Sequence, residues 1–174
     1  MITDLSPYLI YELGCLKGQH VRFCRYSYKN SEYNEGFALV GDNNSFFIRI
    51  KNQRVADKHD VYFLVVKAFH NSEIGYDFKF DTISEGKLTN LNILKYTNKG
   101  MIIRNKVIQN ITTECGLLAE FSDDSRFMVY PKQQLFTDSA CSGDLDEILD
   151  EISANRLEVS RSAEMDINLL LSVQ

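Results

Sequence analysis

The chain has 174 residues, 44% apolar and 25% charged, with two prolines and nine glycines. That is the size and composition of one globular domain, and it excludes a disordered, fibrous or low-complexity protein. A domain of this length buries about two-thirds of the surface its unfolded chain exposes, so it needs no disulfide or metal to hold it together. The net charge of −5 is concentrated. From Asp144 onward eight acidic residues face only Arg156 and Arg161, a net of −6, which leaves the preceding chain at +1 (17 basic against 16 acidic).

The opening MITDLSPYLIYELG has no basic start and carries Asp4 and Glu12 through its apolar part, unlike a secretory leader. It reads instead as a helix. Ser6 accepts a backbone N–H as the cap, Pro7 suits the first helical position, and Leu9, Leu13 and Leu16, with Leu5 before them, form one apolar stripe. Gly14 or Gly18 ends it. No apolar run is long enough to cross a bilayer as a helix, so the expectation is a cytoplasmic protein.

The middle of the chain alternates like strands. HVRFCRYSY, His20–Tyr28, opens it, and GFALVGDNNSFFIRIK reads as a hairpin turning at Asp42, Asn43 and Asn44. DVYFLVVKAF and GYDFKFDTI are expected to pair around a turn at His70–Ile74, with NLNILKYT and MIIRNKVIQNI continuing the pattern. GLLAEFSDDSRFMVYPK is a second hairpin, turning at Ser122–Ser125 and closed by Pro131, which cannot donate to a ladder. Gly36, Ser45 and Phe47 match Gly116, Ser125 and Phe127 at one offset. Two hairpins obeying common turn chemistry explain this match better than a duplication.

The acidic segment opens with an amphipathic helix. Asp144 caps it, with Glu147 three residues on, and Leu145, Ile148, Leu149 and Ile152 fall on one stripe opposite Asp146, Glu147, Asp150 and Glu151. DINLLLSVQ fits a strand or a helix with no evident partner. The expected fold is therefore α+β in a single domain, 1–174. It is a mainly antiparallel sheet with an N-terminal helix and an acidic C-terminal helix, the segment 142–174 being the more loosely attached.

Catalytic chemistry has no local signature. His20, His59 and His70 are the only imidazoles, no GxSxG elbow occurs, and neither phosphate-loop pattern is present. Asp57, His59 and Asp60 match no metal-ligand spacing, and Cys15, Cys24, Cys115 and Cys141 form no CxxC pair. The cysteines read as buried small apolar residues, with disulfide pairing as the alternative. The segment RFCRYSYK interleaves arginines with aromatics, as single-strand binders do. The acidic balance of the chain favours a half-buried strand with a wet basic face instead. No cofactor, metal, nucleic acid or membrane partner is expected, and the chain reads as a non-enzyme.

The stretch from Val107 to Lys132, 26 residues, resembles a layout of bacterial immunity proteins that accompany polymorphic toxins, including those of contact-dependent growth inhibition. Leu117, Phe121, Asp123 and Pro131 occupy its spaced positions, a strand followed by a hairpin with a short acidic turn. The resemblance implies a protein-binding inhibitor that blocks a cognate toxin, a basic one where that toxin is a nuclease. An acidic inhibitor would gain association rate by steering. The expected contact residues are Asp144, Asp146, Glu147, Asp150 and Glu151 on the helix, then Asp123 and Asp124 in the turn. An enzyme with a non-local active site and an assembly subunit are the rival readings.

Overall fold

The computed structural model describes residues 5–33, 35–56, 59–74, 77–98, 102–103, 106–107, 111–131, 138–142 and 165–172. Among these residues one helix, α1 (Pro7–Gly14), precedes eleven strands: β1 (His20–Tyr28), β2 (Gly36–Val40), β3 (Asn44–Ala56), β4 (His59–His70), β5 (Phe78–Asn98), β6 (Ile102–Ile103), β7 (Lys106–Val107), β8 (Ile111–Phe121), β9 (Arg126–Pro131), β10 (Asp138–Ser142) and β11 (Met165–Ser172). No described helix is long and apolar enough to cross a membrane.

Helix α1 starts where its cap chemistry dictates. Ser6 Oγ accepts from the Leu9 amide at 3.2 Å and Pro7 takes the first turn. Leu5, Leu13 and Leu16 are buried, and Gly18, at φ +85°, lets the chain turn into β1. Two backbone bonds between Gly18–Gln19 and Leu88 then fasten this corner to the middle of β5.

Every strand pair is antiparallel, in the order β10-β9-β8-β5-β1-β2-β3-β4, with β11 added to β5, while β6 and β7 form a separate small pair. The sheet curls into a half-barrel, so that edge strand β4 lies against β8 and β3 against β9. Its inner face holds the core. Phe23 stacks on Phe37 (5.6 Å, 1°) and on Phe127 (5.1 Å), and Leu39, Phe46, Ile48, Leu64 and Leu117 fill in around them.

The expected pairing of β4 with the strand after it does not occur. β4 pairs with β3 along its length, and β5 crosses back to pair with β1. Asn71 explains the departure. Its amide donates to the Asn43 carbonyl at 2.8 Å, and its side chain bonds the Gly41 and Asp42 carbonyls and Ser45 Oγ. The chain leaving β4 is thus pinned to the neighbouring β2–β3 turn, and a 3-10 turn at Asn71–Glu73 redirects it. The segments read separately as GYDFKFDTI and NLNILKYT are one 21-residue strand, β5. Its pairing shifts at Ile83 and again at Thr89. The extra residue at Thr89 resets the alternation, so Leu88, Leu91 and Ile93 all reach the inner core.

The N-terminal helix and the mainly antiparallel sheet stand as the sequence suggests. The acidic C-terminal helix, with Asp144, Asp146, Glu147, Asp150 and Glu151, lies outside the described residues. DINLLLSVQ begins as β11, a strand, and its partner is the far half of β5.

The two similar hairpins differ in one respect that matters. In β2–β3, Phe47 stands opposite Ala38; in β8–β9, Phe127 stands opposite Ala119 rather than Leu118. The second turn is one residue longer, so the second arm slips by one and its side chains change faces. Phe127 points into the inner core, and Phe47 points outward.

Candidate functional site

The outward turn of Phe47 creates a second apolar cluster on the outer face of β1 to β5. Outward positions there are Tyr26 and Tyr28 on β1, Phe47 and Arg49 on β3, Val65, Lys67 and Phe69 on β4, and Phe78 and Phe80 on β5. Tyr26 stacks on Phe47 with ring centroids 4.5 Å apart and planes 18° apart. Phe78 meets both of these rings edge-on, at 6.0 and 5.0 Å, and Tyr28 packs on Phe78 at 5.0 Å. Phe69 and Phe80 lie 5.0 and 5.7 Å from Phe47.

This stack depends on small residues. Tyr26 and Phe47 are on strands separated by β2, so their backbones are about 10 Å apart. Their rings meet because β2 presents Gly36 opposite Tyr26 and Ala38 opposite Phe47. Ala38 is buried beneath the rings that close over it, and Gly36 adds no side chain to hold them apart.

Polar groups order one side of the cluster. Arg49 Nε donates to Tyr26 Oη, its Nη2 donates to Glu35 Oε2 at 2.7 Å, and its guanidinium carbon lies 5.4 Å from the Tyr26 ring centroid. Partial burial pulls the Arg49 pKa down, but the Tyr26 hydroxyl and the Glu35 charge outweigh it and hold the group above its usual value. Glu35 is placed by its own backbone, whose amide donates to the Tyr26 carbonyl at 2.9 Å. Between these groups and Phe69 lies an open depression of about 110 Å³, with Lys67 and Val65 on its β4 side. Lys67 is exposed and has no carboxylate within ion-pair distance among the described residues.

The sequence-predicted contact residues that are described lie elsewhere. Asp123 and Asp124 occupy the β8–β9 turn and are exposed. Asp123 Oδ1 accepts from the Ser125 amide and hydroxyl at 3.1 and 2.6 Å, which holds its carboxyl below the usual range. Asp124 takes the left-handed conformation, φ 63°, that the turn requires. Asp123 is therefore engaged in shaping its own turn, while both remain accessible to a partner.

The arginines and aromatics of RFCRYSYK divide between the two faces. Arg22, Cys24, Tyr26 and Tyr28 share the outer side, and Arg25 falls on the other. Tyr26 is only 3% exposed, so no face of its ring is open to a stacking base. His20 lies 3.8 Å from Glu85 on the surface, and His70 Nδ1 is bonded to Ser72 within the 3-10 turn. The side chains of Asp57, His59 and Asp60 lie outside the described residues. No group of three potential metal ligands occurs among the described residues. Cys15 is a free exposed thiol, Cys24 and Cys115 are free and buried, and burial pushes the Cys115 thiol up to about 12.

Sequence reasoning missed this cluster. Its rings were visible as strand residues, but their common face depends on register and on the small residues of β2. No protein family matches the chain, and neither do any of the curated proteins or solved structures compared with it.

Proposed function

We propose that the chain is a protein-binding inhibitor of the immunity type, which neutralises a cognate basic toxin by forming a tight complex with it. The observation that carries this reading is the outer-face cluster. Tyr28, Phe69 and Phe78 remain partly open beside Arg49 and Lys67. Tyrosine, phenylalanine and arginine concentrate at protein interfaces, the rings because they bury much area at little entropic cost and arginine because its planar fork makes several directed hydrogen bonds. The rings here are already locked against one another, so binding need not order them.

The charge pattern supports the choice of partner. The −6 carried from Asp144 onward lies in one segment, which steers a basic protein towards the chain and repels the phosphates that a nuclease would bind. In this reading Asp144, Asp146, Glu147, Asp150 and Glu151 govern encounter, together with Asp123 and Asp124, and the aromatic cluster governs residence. No catalytic group is required of such a protein, and it acts in the cytoplasm, where its toxin arrives.

The test is affinity capture from the native host at low and high salt, followed by expression of each captured protein alone. The expected result is one stoichiometric basic partner, toxic by itself and harmless when co-expressed with this chain. Charge reversal at Asp146, Glu147 and Asp150 should slow its association and leave dissociation almost unchanged. Capture of no toxic partner from cells shown to produce the toxin would overturn the reading.

A further inference from the structure

We infer that the depression beside Arg49 and Lys67 receives one apolar side chain of the partner protein together with a carboxylate next to it in the partner's sequence. The inference rests on the protein-binding reading and specifies what this surface recognises. Size sets the first limit. The depression is open to solvent and its space of about 110 Å³ is below the roughly 150 Å³ of an enclosed cavity that admits benzene, so it suits the end of one aliphatic side chain such as leucine.

Chemistry sets the second. The walls are the partly open rings of Tyr28, Phe69 and Phe78 with Val65, an apolar lining for an apolar group. The rim is cationic, and among the described residues only part of its charge is paired. Arg49 is neutralised by Glu35 at 2.7 Å, whereas Lys67 has no carboxylate within ion-pair distance among the described residues. Lys67 stands directly opposite Phe47 in the β3–β4 ladder, so its charge is held at the edge of the ring cluster. A positive charge that no described carboxylate offsets, set beside an apolar hollow, favours an apolar group bearing a negative neighbour. The same cations repel an ammonium group, so the rings do not form an aromatic box for a cationic ligand. A toxin that is basic as a whole still carries carboxylates, and at contact distance the local pair outweighs the distant, screened charges.

The experiment uses the full chain with labelled aromatic rings, titrated with the peptide acetyl-Ser-Leu-Glu-Ser-amide and followed by NMR. Saturable shifts are expected at Tyr28, Phe69 and Phe78. Replacing the peptide's glutamate by glutamine, its leucine by glycine, or Lys67→Glu in the protein should each weaken binding. The charge reversal should cost about tenfold, since it removes an exposed ion pair and adds a repulsion of similar size. Lys87→Glu, exposed and away from the hollow, should change nothing. No saturable shift at these rings up to about 10 mM peptide, or equal binding by the Lys67→Glu protein, overturns the inference. A captured partner that binds Lys67→Glu as tightly as the wild type removes this pocket and leaves the protein-binding reading intact. Peptide binding with no toxic partner captured does the reverse.

Discussion

Tyr26 offers the sharpest check on the outer-face cluster, because its ring and its hydroxyl serve different neighbours. The ring is 3% exposed and stacked on Phe47 at 4.5 Å. Its removal in Tyr26→Ala should cost about 3–5 kcal/mol, as for other buried aromatics, of which about 0.5–1.5 kcal/mol is the ring–ring term. The hydroxyl accepts from Arg49, whose side chain is 42% exposed, so water can replace the lost acceptor in Tyr26→Phe. That change should cost about 1 kcal/mol. Urea unfolding measures both. With a slope of about 2 kcal/mol per molar, the midpoint should fall by roughly 1.5–2.5 M for alanine and about 0.5 M for phenylalanine, at unchanged slope. A residue on a wet strand face would instead tolerate alanine within about 0.5 kcal/mol. A cost below about 1 kcal/mol for Tyr26→Ala, or equal costs for the two variants, would refute the stacked arrangement.

Three further outcomes concern the outer cluster and strand β8. Ala38→Leu should push a branched side chain between Tyr26 and Phe47, costing about 1–3 kcal/mol and abolishing the ring-current shifts of the pair in the NMR spectrum. In Gly116→Ala the added carbon would sit 2.5 Å from the Val129 carbonyl oxygen and 2.8 Å from Leu94 Cδ1, so the β8–β9 backbone must move. A loss of at least about 2 kcal/mol is expected in urea unfolding. The Cys115 thiol, raised from 9.0 to about 12 by burial, keeps its proton in the folded state after the unfolded chain has lost it. Stability is therefore unaffected by this group below pH 9 and falls between there and about 12, by at most about 1.4 kcal/mol per pH unit. Cys115→Ala should remove that slope, and thiol labelling read by mass spectrometry should modify Cys15 in the folded protein but Cys115 only on unfolding.

Local chemistry was legible in the sequence, and non-local geometry was not. The Ser6 cap, Pro7 and the leucine stripe place α1, and the turn residues place both hairpins, because each of these signals acts within a few positions. The departure of β5 from β4 depends on Asn71 reaching carbonyls about thirty positions earlier, which no strand pattern reveals. GYDFKFDTI and NLNILKYT read as separate segments, yet β5 runs through the residues between them because its irregularities are bulges. The outer cluster is the clearest case. Phe47 and Phe127 sit at matching places in similar segments, and one extra turn residue sends their rings to opposite faces. Gly36 and Ala38 read only as part of a hairpin arm, and their smallness is what lets rings from non-adjacent strands touch.

The most direct test of the binding reading is a growth assay with the captured partner expressed alone, with this chain, or with the variant Lys67→Glu/Tyr28→Ser. Lys67 is exposed and Tyr28 is half-covered by its packing on Phe78, so the variant should stay folded with a loss of about 1–2 kcal/mol in urea unfolding. The expected result is full growth with the wild-type chain and loss of protection with the folded variant. Protection by the variant equal to that of the wild type would contradict the role given to the aromatic surface, and a partner harmless on its own would contradict the inhibitor reading itself.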